Sequence, residues 1–177
     1  MRSKLLISHA RYYDLIVFGL RGLFDYGVLD EPRDMLVRLV ATGVRPILAV
    51  APRYCRIRRV LIAYSGSIES AKAMKRFVQL DLWPDMAVRI ACFDKEKDEA
   101  EDLLAEAAAY CRAHGIDPDV EYQPGPPEEH LLSCAKQYES DLIVMGNSFR
   151  NLLFRHLLGN TMLHTIQHAD RPLFLTQ

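Results

Sequence analysis

One stretch of this chain carries residue types that can hold a phosphate. Gly159-Asn160-Thr161 opens a helical pattern, so it joins free backbone N–H groups to short polar side chains. Gly66-Ser67 follows the apolar run Val60–Tyr64 and precedes another helical pattern. Gly146 ends a further apolar run, Leu142–Met145. Ser65, at the end of the first run, can accept a hydrogen bond from a ribose hydroxyl but brings no charge. Asn160 is equally suited to capping its helix, and Gly146 to a tight turn. Arg150, Arg155 and His156 lie between Gly146 and Gly159, where they either meet an anion or form a solvated loop face.

Catalytic chemistry finds few of its parts. Ser65 and Ser67 lack the Gly-x-Ser-x-Gly elbow of a nucleophile. Nothing supplies a phosphate-loop lysine, a metal-holding acid and a base at suitable spacing, so an ATP hydrolase is a minor alternative. His164 and His168 stand four apart on a helical pattern, a metal pair without a third ligand. Asp25, Asp30 and Glu31 precede Pro32, where acids favour a helix start. The expectation is a protein that is not an enzyme and holds no metal of its own. Cys92, Cys111 and Cys134 fall on apolar stripes, where a thiol acts as a small hydrophobe. Cys55 lies among arginines, which would lower its pKa, in what reads as a linker.

A chain of 177 residues with a formal net charge of −1 gives no electrostatic reason to expect nucleic acid or an anionic membrane as partner. No apolar run is long enough to span a bilayer, and the start at Met1 is too soon interrupted by His9 and Arg11 for a secretory signal. The cytoplasm is the expected compartment.

The elements that must position these residues alternate. Val60–Tyr64 is a short continuous apolar run, as a strand buried on both faces requires. A helix follows with Ala71, Met74, Phe77, Val78 and Leu80 on its apolar face, and Pro84 ends that segment. Val88–Phe93 is a second strand. Lys95–His114 is a helix with Leu103, Leu104, Ala107, Ala108 and Cys111 on one stripe, closed by Gly115. Val120–Tyr122 is a third strand. Gln123–Pro127 turns into a helix whose first turn carries Glu128 and Glu129. Asp141–Met145 and Pro172–Leu175 are the fourth and fifth strands, with a helix carrying Met162, Leu163 and Ile166 between them. Such alternation indicates an α/β fold with a three-layer, doubly wound, five-stranded parallel sheet.

One phrase of the chain occurs twice. Asp14-Leu-Ile-Val-Phe-Gly19 is followed by Arg45-Pro46-Ile-Leu-Ala-Val50, and Asp141-Leu-Ile-Val-Met-Gly146 by Arg171-Pro172-Leu-Phe-Leu-Thr176, the two intervals differing by a single residue. An apolar stretch precedes the aspartate in each copy. The repeat predicts a partial unit at 1–52, with the last two strands and helices of a sister unit, a linker at 53–58 and a complete unit at 59–177.

The strand and loop Val60–Ser67 resemble the opening of the universal stress protein family. So do Asp141–Gly146, then Gly159-Asn-Thr161 and the terminal Arg-Pro-Leu-Phe-Leu strand. The resemblance covers Arg59 to Gln177 and makes the chain similar to a tandem member with a truncated first repeat. It implies an adenine-nucleotide α-hydrolase-like sheet in the order 3-2-1-4-5. It also implies ATP or another adenine nucleotide at the carboxyl ends of strands 1 and 4, with Mg2+ only as the nucleotide's companion. The family's pattern is glycine, two residues, glycine, nine residues, then glycine and Ser/Thr. This chain has Gly146, Phe149, Gly159, then Asn160 with Thr161 after it. Phe149 denies the backbone its close approach to phosphates, and Ser65 replaces the family's usual acid. The implied cofactor-binding residues are Ala63, Tyr64, Ser65, Gly66, Cys92, Met145, Gly146, Phe149, Gly159, Asn160 and Thr161, with adenine near Cys92. The expected function is a stress-response regulatory module that binds ATP or AMP weakly. The alternative is a non-nucleotide-binding dimeric interaction or scaffold protein of the same family.

The strand Leu15–Phe18 lacks the first strand beside which it belongs. An apolar strand with an open edge invites pairing, so residues 1–52 are expected to pack on the complete unit or on the same segment of a second copy. A homodimer, with a protein partner of unknown identity, is the resulting expectation.

Overall fold

The computed structural model describes residues 12–19, 45–50, 53–147 and 160–176. The helices expected before Asp14 and after Pro32 lie outside these residues. The described elements are β1 (Ile16–Gly19), β2 (Ile47–Val50), β3 (Arg59–Tyr64), α1 (Ile68–Leu80), β4 (Ala87–Phe93), α2 (Lys97–Ala113), β5 (Asp119–Gln123), α3 (Pro127–Gln137), β6 (Leu142–Gly146), α4 (Asn160–His168) and β7 (Leu173–Thr176).

They form one seven-stranded sheet in the order β1-β2-β7-β6-β3-β4-β5. From Arg59 onward the strands run β5-β4-β3-β6-β7, all parallel, which is the order third, second, first, fourth, fifth. β3 lies directly beside β6, with Val60 opposite Leu142 and Ala63 opposite Met145. The sheet does not stop at five strands. β2 joins the outer edge of β7 antiparallel, and β1 joins β2 parallel.

Alternation along the strands divides the apolar side chains between two layers. Val60, Ile62, Leu142, Val144 and Phe174 pack under α1 and α2 with Met74, Phe77, Leu104 and Cys111. Leu61, Ile143, Met145, Leu173 and Leu175 pack on the other face with Leu131, Cys134, Met162 and Ile166 of α3 and α4. β3, β6 and β7 are buried on both faces, which is why their sequences read as unbroken apolar runs. Phe77 meets Phe174 edge to face at 5.5 Å, pinning α1 to the sheet beside β6.

The helices follow their sequence signals with local differences. α1 buries Ser70 and Ala73 besides Met74, Phe77 and Val78, while Ala71 and Leu80 are half-buried. It stops at Leu80 because Asp81 turns left-handed (φ 42°), before Pro84 is reached. α2 ends in a Schellman closure: Gly115 N donates to Arg112 O (3.0 Å) and Ile116 N to Cys111 O (3.1 Å).

The repeated phrase folds the same way twice. Ile16 pairs with Ile47 as Ile143 pairs with Leu173, and Gly19 with Val50 as Gly146 with Thr176. Ile16 N donates to Pro46 O (3.0 Å), and Ile143 N to Pro172 O (3.1 Å). The arginine before each proline reaches the carbonyl that precedes the aspartate: Arg45 to Tyr13 O, and Arg171 to Ser140 O. The antiparallel junction sets Ile47 opposite Leu175, Leu48 opposite Phe174 and Ala49 opposite Leu173. Because Ile47, Leu48 and Ala49 correspond to Leu173, Phe174 and Leu175, this pairing is symmetric about Leu48 and Phe174.

Burial pushes the thiols of Cys111 and Cys134 from the ordinary 9.0 up to about 11. Folding therefore favours their protonated form, and the unfolded chain releases these protons first as pH rises. The stability they contribute is whole below pH 9 and lost toward pH 11. Urea titrations between those limits should show a falling unfolding midpoint. Replacing both cysteines with Ala should flatten that fall, and an unchanged slope would refute the assignment.

Candidate functional site

The sheet reverses its direction of winding between β3 and β6, and an open α/β sheet leaves its crevice at the carboxyl ends of such a pair. One wall is the loop from β3 to α1. Gly66 holds a left-handed conformation (φ 72°), and a Cβ there would meet Leu103 Cδ2 of α2 at 2.6 Å. Ser67 caps α1, its Oγ accepting from Ser70 N (3.2 Å). Ser65, Ser67 and Ser70 bring three hydroxyls together: Ser65 Oγ donates to Ser67 Oγ (3.0 Å) and Ser67 Oγ to Ser70 Oγ (3.2 Å). Ser65 N donates to Ser70 Oγ (3.3 Å) and Ser67 N to Ser65 Oγ (3.4 Å). Two loop amides and the Ser70 amide thus already have acceptors within the loop.

The second wall is the end of β6. Gly146 is not a turn glycine. The first turn of α1 lies on it, so a Cβ would come within 2.7 Å of Ser70 N and closer still to the Glu69 carbonyl. Its missing side chain lets the helix N-terminus reach the strand. Asn147, buried beyond it, donates its backbone N–H to Thr176 O (2.9 Å), which ties the end of β6 to β7.

The sequence-predicted residues divide into several groups. Ser65, Gly66 and Gly146 flank the crevice on the loop and on the end of β6. Ala63 and Met145 are paired strand residues whose side chains belong to the layer under α3 and α4. Tyr64 and Cys92 pair across β3 and β4, with both side chains in the opposite core. Burial raises the pKa of each, so Cys92 offers main-chain groups and not a thiolate. Asn160 opens α4 and is exposed, while Thr161 Oγ1 donates to Glu128 Oε2 of α3 (3.1 Å). Phe149 and Gly159 lie outside the described residues, as do Arg150, Arg155 and His156.

Ser70 and Glu128 are the site neighbours that sequence reasoning missed. The Ser67-x-x-Ser70 spacing was their available signal for the first. Glu128 was read as a helix-dipole acid, and its partner on α4 has no local marker. His164 and His168 stack at 4.3 Å, and no group of three metal-binding side chains occurs among the described residues. The Cys55 thiol is raised, not lowered: burial and the Asp141 carboxylate outweigh Arg171.

The family model for the universal stress protein family matches residues 82–177. The chain belongs to the universal stress protein family. The stress response protein NhaX of Bacillus subtilis is 25% identical over 81 residues, covering 46% of this chain and 49% of that one. The chain spans about half the length of the curated relatives it matches. A universal stress protein of Archaeoglobus fulgidus superposes with a TM-score of 0.75 at 20% identity, covering 99% of this chain and 64% of that one. A universal stress protein solved in complex with cAMP superposes at 0.59 with 22% identity, covering 70% and 98%. These superpositions establish the fold. No described helix is long and apolar enough to cross a membrane.

The contact at Gly146 predicts a cost that needs no ligand. Gly146→Ala should lower the unfolding free energy by about 1–3 kcal/mol, because the atoms it meets are helix backbone and cannot rotate away. Chemical denaturation of the unliganded protein measures it. A change below about 0.5 kcal/mol would show that α1 moves aside freely.

Proposed function

We propose that this universal stress protein is a regulatory module that takes an adenine nucleotide weakly in the crevice between β3 and β6. Residues 59–177 form its complete unit, 53–58 a linker, and 1–52 part of a sister unit, which makes the chain a tandem-type member acting in the cytoplasm. The carrying observation is the parallel β3–β6 junction with the α1 N-terminus and the Ser65–Ser67 loop at its mouth. Family membership and the relative solved with cAMP support a nucleotide of this class.

Weak binding follows from the donor set. The hydroxyls of Ser65, Ser67 and Ser70 and several loop amides are mutually satisfied, so a ligand must replace bonds that already exist. Thr161 bonds a carboxylate, Glu128, whose charge repels a phosphate. Ser65 supplies no charge for the ribose end. Mg2+ would enter only as the nucleotide's companion; among the described residues no group of three metal-binding side chains occurs. The module needs no catalytic step.

A second reading rests on the same Ser65 network: an interaction or scaffold protein that binds no nucleotide and works as a homodimer. Calorimetry with MgATP separates the two. Weak heat and a thermal shift at millimolar nucleotide are expected. Silence in both assays would leave the scaffold reading, which the double variant Ser65→Asp with Phe149→Gly would then have to convert into a binder. Tight binding by the unaltered chain would end the scaffold reading. Sedimentation at micromolar concentration tests the dimer, and a clean monomer removes it.

A further inference from the structure

The first turns of α3 and α4 meet at the carboxyl edge of the sheet. β5, β6 and β7 run in the same direction, so the helices that connect them both begin at that edge. They pack side by side over the layer of Leu61, Ile143 and Leu173. Glu128 is the second residue of α3, whose cap residue, Pro126, brings no side-chain bond. The Glu128 carboxylate reaches across to α4 instead, where Oε2 accepts from Thr161 Oγ1 (3.1 Å). Thr161 has one hydroxyl proton to give, and Glu128 takes it. Among the described residues no lysine or arginine pairs with this half-buried carboxylate. It stands at the first turn of α4, whose positive dipole end favours an anion of either kind, carboxylate or phosphate.

We propose that Glu128 is the specificity residue of the nucleotide site. Its carboxylate holds the place of an outer phosphate beside Thr161, so the crevice takes adenine nucleotides with one phosphate in preference to triphosphates. This inference rests on the nucleotide reading above and adds the charge class of the ligand. A phosphate that took the Thr161 hydroxyl would have to displace Glu128 and would then lie beside it, like charge against like charge in a half-buried place. A nucleotide with a single phosphate need not reach Thr161 at all. Specificity is built here by an element that repels the wrong ligand. Glu129 provides the internal comparison: it adjoins Glu128 in the first turn of α3, but it is exposed, and its side chain makes no bond to α4. An acid that only suits the helix dipole and an acid that sets specificity differ in one measurable way. Only the second changes the ranking of ligands.

Calorimetry of the full chain with adenosine, AMP and ATP tests this, in EDTA so that no Mg2+ neutralises the phosphates. The unaltered protein should bind AMP about tenfold more tightly than ATP. Glu128→Gln keeps an oxygen that can accept from Thr161 and removes only the charge. It should tighten ATP about tenfold and bring it level with AMP. Adenosine affinity should stay as it was, which also shows that the site is intact. Glu129→Gln should leave the AMP-to-ATP ratio where it stands, because an exposed charge away from Thr161 is screened. An unaltered chain that prefers ATP would overturn the role of Glu128. So would an unchanged ratio in Glu128→Gln while adenosine still binds, or an equal change in Glu129→Gln. Each of these outcomes leaves the nucleotide reading standing. Failure of all three ligands to bind any of the three proteins would remove that reading instead, and this inference with it.

Discussion

Strand β6 is held at both ends, and the sheet takes its register from that restraint. At its start the Asp141 carboxylate accepts from Arg58 N and Arg59 N, where the chain enters β3. At its end Gly146 admits the backbone of the first turn of α1. Between them Leu142 to Met145 are buried on alternate faces. A slip of one residue would exchange the two layers and withdraw both restraints together. The β3–β6 junction is therefore fixed by one polar contact and one steric contact, neither of which could be replaced by a larger apolar core.

The same arrangement shapes what the crevice can do. Because α1 sits directly on Gly146, its N-terminus is brought to the sheet's carboxyl edge, where a helix dipole favours an anion. The loop that delivers it is self-sufficient. Three serines exchange hydroxyl bonds and cap the helix, so the loop keeps its shape with no guest. Preorganisation lowers the entropic cost of binding, but satisfied donors lower the gain. In the nucleotide site proposed above, this balance would favour weak and readily reversed binding.

Much of the fold was legible because buried parallel strands leave continuous apolar runs between glycine and proline signals. Val60–Tyr64 and Leu142–Met145 were readable on that ground, and Val88–Phe93 despite Arg89, each within a residue of its observed limits. Amphipathic spacing marked α2, although Leu103 turned out to cover Gly66 at the loop. The repeated phrase announced two additional strands. What stayed hidden was long-range. Nothing local in Ile47–Val50 says that it will meet β7 antiparallel, and nothing near Gly146 says that helix backbone will lie upon it. The candidate positions on two strand ends could be named from the sequence, but not their hydrogen bonding, because the partners of Ser65 and Thr161 depend on packing.

The antiparallel join of β2 to β7 explains how β1 and β2 are held on this sheet. β7 is wholly apolar from Leu173 to Leu175, and all three residues are fully buried. Left as an edge, it would expose a row of amides beside a sticky face. β2 covers that edge with a copy of the same phrase, and the symmetry about Leu48 and Phe174 means that one local geometry serves both halves. The symmetry is imperfect where the packing differs: Phe174 lies against Phe77 of α1, whereas Leu48 is only half-buried. Side-chain size along the phrase thus follows the layer above it, while Asp, Arg and Pro, which act on the backbone, are kept in both copies.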